Sequence, residues 1–406
     1  MLFMSDLSFA QNYHYKDTCF FSDILGEYKF IRAYLPPGYE FSTEKYPVVY
    51  YLHPAGGIYE DVIEWMELTD SLISEELIHP MLLIGLDGQC PPYCGSFFTN
   101  SVLYGNYEDY IIQEAIPFAE SVFRTMDTSQ FRCILGETMG GYGAMKLGLK
   151  YPDMFAGMAS YAGFLQLDTL LSLWQIRLML ENTGPPYHFM YNGAGMFTNL
   201  TFGGSGAFSP NLNILPYMVE FPYDTNCAIV DTVKQKWKEH DCARLVKSLN
   251  TINCQNPGIF FCCSTNDWAD FYPGNECFED TLIELGLPYT FLTTQDFSHG
   301  ATDSSFTIGM QFFDSIMFSL MPRIAIPAEE DCIPLEVYPN PFRDLIHINT
   351  QEDAMLSVYS MSGELLYQSK RFQTSESLNL SFLPSGVYVL VVKSGRRTAS
   401  RKIVKH

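Results

Sequence analysis

The stretch Gly136-Glu137-Thr138-Met139-Gly140 sets a hydroxyl between two glycines, behind the apolar run Phe131 to Leu135 and ahead of the small, helix-compatible Gly141-Tyr142-Gly143-Ala144-Met145. A strand that turns sharply into a helix strains the residue at the turn and lifts its side chain clear of the sheet, where it can attack a carbonyl carbon. Such acyl transfer needs a base to take the hydroxyl proton, an acid to orient the base, and backbone N–H groups for the oxyanion. Candidates follow in chain order. Asp267 lies in the turn Ser264-Thr265-Asn266-Asp267 after the apolar run Ile259 to Cys263, and His299 lies in the polar loop Asp296 to Gly300 after Tyr289 to Thr293. Asp270 and Asp296 compete with Asp267, whose turn position directly after the strand favours it.

The oxyanion needs two donors. The Met139 N–H is one by its place after the turn, and the loop His53-Pro54-Ala55-Gly56-Gly57 supplies the other. Pro54 has no N–H, so the second donor is assigned to Ala55; His53 is expected to support this loop rather than act as a second base. Ser205 and Ser298 rank below Thr138 because neither leads from a buried strand into a helix. A β-branched residue at positive φ costs on the order of 1 to 3 kcal/mol, and its methyl crowds the oxyanion pocket. Threonine nucleophiles elsewhere usually rely on an N-terminal amine as base. Two outcomes stay open: ester hydrolysis through Thr138, His299 and Asp267, or a non-catalytic module that keeps the cleft and binds carbohydrate or ester.

These residues need a scaffold that gathers strand ends. Tyr28 to Leu35 alternates like a strand and stops at Pro36-Pro37-Gly38, while Tyr46 to Leu52 and Met81 to Leu86 are continuous apolar runs of buried parallel type. Helical spacing runs from Tyr107 to Phe123 and through the helix after Thr138 to about Tyr151; a strand near Met158 to Tyr161 follows. Leu165 to Leu249 is irregular, broken at Gly184-Pro185-Pro186, Gly203-Gly204 and Ser209-Pro210, and is expected to form an insertion of short helical pieces over the sheet. Its aromatics Tyr187, Phe189, Tyr191, Phe197 and Phe202 either roof the cleft for an aryl or sugar ester or form a satellite core. A helix around Cys277 to Leu285 and another from Phe306 to Phe318 flank the strand Tyr289 to Thr293, closing an α/β unit with a mostly parallel sheet near Met321.

The 406 residues exceed one core, so a second, smaller domain is expected. Pro322 to Pro334 reads as a linker, and from residue 335 the pattern changes to short alternating strands (Ile346 to Ile348, Ala354 to Tyr359, Glu364 to Gln368, Leu378 to Phe382, Val387 to Val392) with Gly-containing turns, a small all-β sandwich. Apolar residues make up 47% and charged residues 17%, which excludes disorder over most of the length. The net charge of −22 makes nucleic acid and anionic membranes poor partners, and no apolar run reaches the ~18 residues that span a bilayer. Of eleven cysteines, Cys133, Cys262 and Cys263 read as buried small hydrophobes, Cys90 and Cys94 as disulfide candidates, and no set reads as a metal site; no cofactor is called for. Met1 to Gln11 is either the tail of a secretion signal or a frayed terminus.

Residues 27 to 318 resemble the putative esterase (esterase D and feruloyl esterase-like) family of α/β-hydrolases. The marks are Tyr34 to Tyr39, Leu52-His53 with Gly56-Gly57, Gly105 to Tyr110, the turn at Thr138 through Lys150-Tyr151-Pro152-Asp153-Met154-Phe155, Ala207 to Asn211, and Thr265 with Asp267. The resemblance implies an α/β-hydrolase fold and cofactor-free hydrolysis of carboxylic esters, such as feruloyl or acetyl groups on plant polysaccharide, or small acyl esters and thioesters. Glu137 and Thr138 stand where that family usually has histidine and serine. Residues 333 to 406 resemble the type A C-terminal sorting domain of the type IX secretion system of Gram-negative bacteria, through Val337-Tyr338-Pro339-Asn340-Pro341-Phe342, Leu383-Pro384-Ser385-Gly386-Val387-Tyr388 and the basic end Arg401 to Lys405. It implies that machinery as partner and a secreted or cell-surface location, where disulfides persist.

Overall fold

A computed structural model describes residues 14–91, 93–193, 195–249, 257–295, 299–318, 335–350, 353–360, 365–369, 375–394 and 397–406. The N-terminal segment 1–11, the linker 322–334, Asp296 and Ser298 lie outside the described residues.

Every residue of β3 (Val48–Leu52), β4 (Leu82–Leu86), β7 (Arg132–Glu137) and β8 (Gly157–Tyr161) is buried, as continuous apolar runs require when both faces of a sheet are covered. With β1 (His14–Ser22), β2 (Glu27–Leu35), β9 (Gly258–Ser264) and β10 (Thr290–Thr294) they form one sheet in the order β1-β2-β4-β3-β7-β8-β9-β10. The strands from β4 to β10 in that order are parallel, and β1 and β2 close the edge antiparallel. Alternation along each strand sorts two cores: Tyr50, Leu52 and Ile134 face one, Tyr51, Cys133 and Leu135 the other. Helices α1 (Ile63–Ser74) and α10 (Asp303–Met317) cover the second core through Trp65, Met66, Phe306 and Phe313. The first is covered by α2 (Tyr107–Tyr110), α3 (Ile116–Val122), α4 (Met139–Lys150) and α9 (Tyr272–Leu285). A small ribbon, β5 (Asn100–Ser101) with β6 (Gly105–Asn106), precedes α2.

Between β8 and β9 lie α5 (Leu167–Glu181), α6 (Met196–Phe208), α7 (Asp231–Lys238) and α8 (Cys242–Leu245). The first two are full-length helices, which corrects the expectation of short pieces. Gly203 and Gly204 do not break α6. They let it approach its neighbours, since a Cβ on Gly203 would fall 2.5 Å from Cys94 Sγ and one on Gly204 2.8 Å from the Trp237 ring.

The C-terminal strands form two antiparallel sheets. One joins β11 (Leu335–Tyr338), β12 (Leu345–Thr350) and β15 (Ser375–Asn379); the other joins β14 (Leu365–Gln368), β13 (Met355–Ser360), β16 (Gly386–Ser394) and β17 (Arg397–Lys405). Ile346, Ile348, Leu356, Val358, Leu390 and Ile403 form their common core. The strand expected over Leu378 to Phe382 stops at Asn379, where the Leu383 N–H bonds back to the Leu380 carbonyl in a turn that leaves Phe382 exposed. β17 is a strand despite its basic residues, and the buried Lys405 Nζ donates to the carbonyls of Leu380, Ser381 and Leu383.

Candidate active site

Thr138 caps the N-terminus of α4 with φ 49° and ψ −107°, the strained turn expected of it. Its N–H bonds to the Tyr161 carbonyl on β8 (2.8 Å) and its carbonyl receives the Tyr142 N–H (3.0 Å), which fixes the turn from both sides. Glycine is required around it. A Cβ on Gly140 would lie 1.9 Å from the Leu52 carbonyl oxygen, and one on Gly136 would lie 2.3 Å from the Gly140 carbonyl. Strand, turn and helix therefore interlock through main chain.

Both expected oxyanion donors converge on Thr138 Oγ1, which accepts from the Met139 N–H at 2.5 Å and from the Ala55 N–H at 3.5 Å. Elsewhere in the Ala55 loop the amides are already engaged: Gly56 N–H bonds to the Cys94 carbonyl (2.6 Å) and Gly57 N–H to the Pro54 carbonyl (3.0 Å). The fully buried His53 holds the loop, with Nδ1–H donating to the Pro54 carbonyl (2.9 Å) and Nε2 accepting from the Gly88 N–H (3.0 Å). Burial lowers its imidazole below the usual range, so it serves as a neutral brace.

Asp267 and His299 meet at the carboxyl ends of β9 and β10: His299 Nδ1 lies 2.6 Å from Asp267 Oδ2. The other carboxylate oxygen accepts the Ala269 and Phe271 N–H groups (2.9 and 3.3 Å). The Asp267 side chain is wholly buried, and the rings of Trp268 and Phe271 flank His299 with centroids 4.6 and 5.3 Å from its own. A carboxylate so held fixes the ring and its tautomer, leaving Nε2 as the basic nitrogen. The competitor Asp270 is instead clamped bidentately by Arg177 (2.7 and 2.9 Å). Ser205 is buried inside α6 and donates to the Thr201 carbonyl (2.7 Å), which removes it as a nucleophile.

Thr138, Met139, Ala55 and His299 all line one cavity of about 710 Å³. Its apolar wall comes from Phe97, Phe164, Trp174, Leu200, Trp268 and Phe271. None of these side chains stands out in the sequence. Trp174 and Leu200 sit within the irregular region without a local signature, and Phe97, Phe164 and the pair Trp268 and Phe271 come from three loops that only the fold joins. Of the aromatics that either roof the cleft or form a satellite core, Phe189, Tyr191 and Phe202 do the latter, packing with Tyr93, Tyr217 and Phe221. Cys90 and Cys94 are free thiols, which corrects the disulfide expectation, and Cys94 lies against the cavity. Among the described residues no group of three or more His, Cys, Asp or Glu side chains is placed to hold a metal ion, and no helix is long and apolar enough to cross a membrane.

The family model described as "Putative esterase" matches residues 22–256, and the model described as "Secretion system C-terminal sorting domain" matches residues 336–406. Among curated proteins, Esterase Rv1288 of Mycobacterium tuberculosis is 29% identical over 135 residues, covering 33% of this chain and 28% of the relative. An endo-1,4-beta-xylanase/feruloyl esterase of Xylanibacter ruminicola is 27% identical over 154 residues, covering 34% of this chain and 20% of the relative. The chain thus spans well under half the length of either relative. Solved structures with the same fold include a ferulic acid esterase (17% identity, TM-score 0.50, 75% of this chain and 98% of that one). An S-formylglutathione hydrolase from Agrobacterium tumefaciens also shares it (14%, TM-score 0.51, 76% and 97%).

Proposed function

The chain belongs to the putative esterase family and carries a secretion-system C-terminal sorting domain, and from that premise we propose that it is an exported carboxylic ester hydrolase whose nucleophile is Thr138. The observation that carries this is convergence: two N–H groups meet at Thr138 Oγ1 on the same cavity wall to which Asp267 delivers His299. In the proposed reaction, His299 Nε2 takes the Oγ1 proton as Oγ1 bonds to the ester carbonyl carbon. Negative charge then develops on the carbonyl oxygen, where the Met139 and Ala55 N–H groups receive it. His299 returns the proton to the departing alcohol, and water, deprotonated by the same nitrogen, releases the acid from the acyl-threonine. The aromatic wall suits an aryl or feruloyl acyl group, and the fold includes a ferulic acid esterase among its neighbours. Under this reading, residues 12–321 are the catalytic domain, 322–334 the linker, and 335–406 the unit handed to the type IX machinery of a Gram-negative cell.

One observation favours a second reading, a surface-displayed binding protein for carbohydrate or ester. Thr138 Oγ1 accepts from two amides, and among the described residues no bond from its hydroxyl to His299 is found. Any rotation about χ1 that brings Oγ1 to Nε2 is resisted by a β-branched side chain. Assays of wild type, Thr138→Ser and Thr138→Ala on p-nitrophenyl acetate and methyl ferulate separate the two. We expect weak wild-type turnover, a rise with serine and none with alanine. Equal inertness of wild type and alanine beside an active serine variant selects the binding protein, and full activity in the alanine variant removes Thr138 as nucleophile.

A further inference from the structure

Glu137 precedes the nucleophile and takes no part in the chemistry above. Its side chain turns to the face of the sheet covered by α1 and α10, where it is almost wholly buried. Three groups donate to it. Oε1 accepts from Tyr51 Oη (3.0 Å) and from Trp65 Nε1 (2.8 Å), and Oε2 accepts from the Ala301 N–H (2.9 Å). The Trp65 ring is itself stacked on Phe306 of α10, with centroids 4.5 Å apart. Ala301 is two residues beyond His299. Between them, Gly300 has φ +96°, and a Cβ there would meet Glu137 Oε2 at 2.6 Å. Both residues that follow the base are thus fitted around one carboxylate.

We propose that Glu137 is a positioning residue that sets the distance between nucleophile and base: its backbone carries Thr138, and its carboxylate grips the His299 loop at Gly300 and Ala301. This rests on the esterase reading for its effect on rate, though the grip itself does not. The partners explain why a carboxylate stands here. An indole N–H and a backbone N–H can only donate, so the group between them must accept on both oxygens. Burial pushes the Glu137 carboxyl up, and the three donors oppose that shift. An amide of the same shape must aim its NH2 at Trp65 or at Ala301, donor against donor.

The test uses the full chain. Glu137→Gln and Gly300→Ala are compared with wild type by hydrogen–deuterium exchange of the segment 299–305 and by kcat and KM on methyl ferulate. Faster exchange in that segment with the C-terminal strands unchanged is expected, together with a fall in kcat of about tenfold or more and KM within about twofold, since misplacing a reacting group acts on the chemical step. The double variant should lose little beyond either single one, because both relax the same grip. Wild-type exchange and wild-type kcat in both folded variants overturn the proposal. Should the wild type show no turnover, the esterase reading fails while the exchange comparison still decides whether Glu137 holds the loop. Gly300→Ala keeps the test alive if Glu137→Gln does not fold.

Discussion

In the eight-stranded sheet, β3, β4, β7 and β8 bury every residue and send side chains into two cores, whereas in the C-terminal strands a residue such as Ile346 or Ile348 enters a single core and its neighbours stay at the surface. The two arrangements leave polar groups in different places. Where both faces are covered by helices, the loops at the carboxyl ends of parallel strands are the natural place for charge and hydroxyl, and Thr138, Asp267 and His299 all follow such ends. Where one core is shared by two small sheets, most polar side chains lie on the outside, and among the described residues the buried ones are small hydroxyls such as Ser357 and Ser360 together with Lys405, whose ammonium is spent on backbone carbonyls. One unit is shaped to concentrate reactivity and the other to present a surface.

That contrast can be broken from either side. The largest effect is expected for His299→Ala, which should lower kcat on methyl ferulate by about a thousandfold or more while leaving the melting of the C-terminal unit unchanged in calorimetry. Next comes Glu108→Gln. Burial would raise the Glu108 carboxyl, but Lys146 and Lys150 outweigh it and hold it at about 2. Removing that charge strands the buried Lys146, and the α/β unit should lose about 3 to 5 kcal/mol near neutrality by denaturant unfolding. Because the folded pKa lies below the ordinary 4.5, this stabilisation is present above pH about 4.5 and fades as pH falls towards 2, so the gap between wild type and variant should close over that window. A change on the other side follows: Leu356→Ala in the sandwich core should cost about 2 to 5 kcal/mol in that unit, read as earlier proteolysis of it, with kcat/KM untouched. The smallest effect is expected for Trp268→Ala at the cavity wall, about 1 to 2 kcal/mol in kcat/KM on methyl ferulate and less on p-nitrophenyl acetate, measured as the ratio of the two.

The central strands were legible because they are apolar runs, and the places of Thr138, Asp267 and His299 because each lies just beyond a strand. Ala55 emerged by elimination of Pro54; in the structure the Gly56 and Gly57 N–H groups bond elsewhere in the loop region, while the Ala55 N–H meets Thr138 Oγ1. The edge strand β1 was not legible: eight of its nine residues are at least partly exposed, so no buried alternation marks it. Nor was α6, whose glycines read as breakers until Cys94 and Trp237 are seen against them. Glu137 showed only as a departure from the family pattern, since its meaning lies in Tyr51, Trp65 and Ala301, which are distant in sequence and meet only in the fold.

The pose of Thr138 is set by Gly136, Gly140 and the Leu52 carbonyl, none of which contributes a side chain. Whatever hydroxyl occupies residue 138 inherits that pose without rebuilding anything around it. On the proposed reading, exchanging threonine for serine there changes the nucleophile alone, with cleft, base and sorting domain carried along intact.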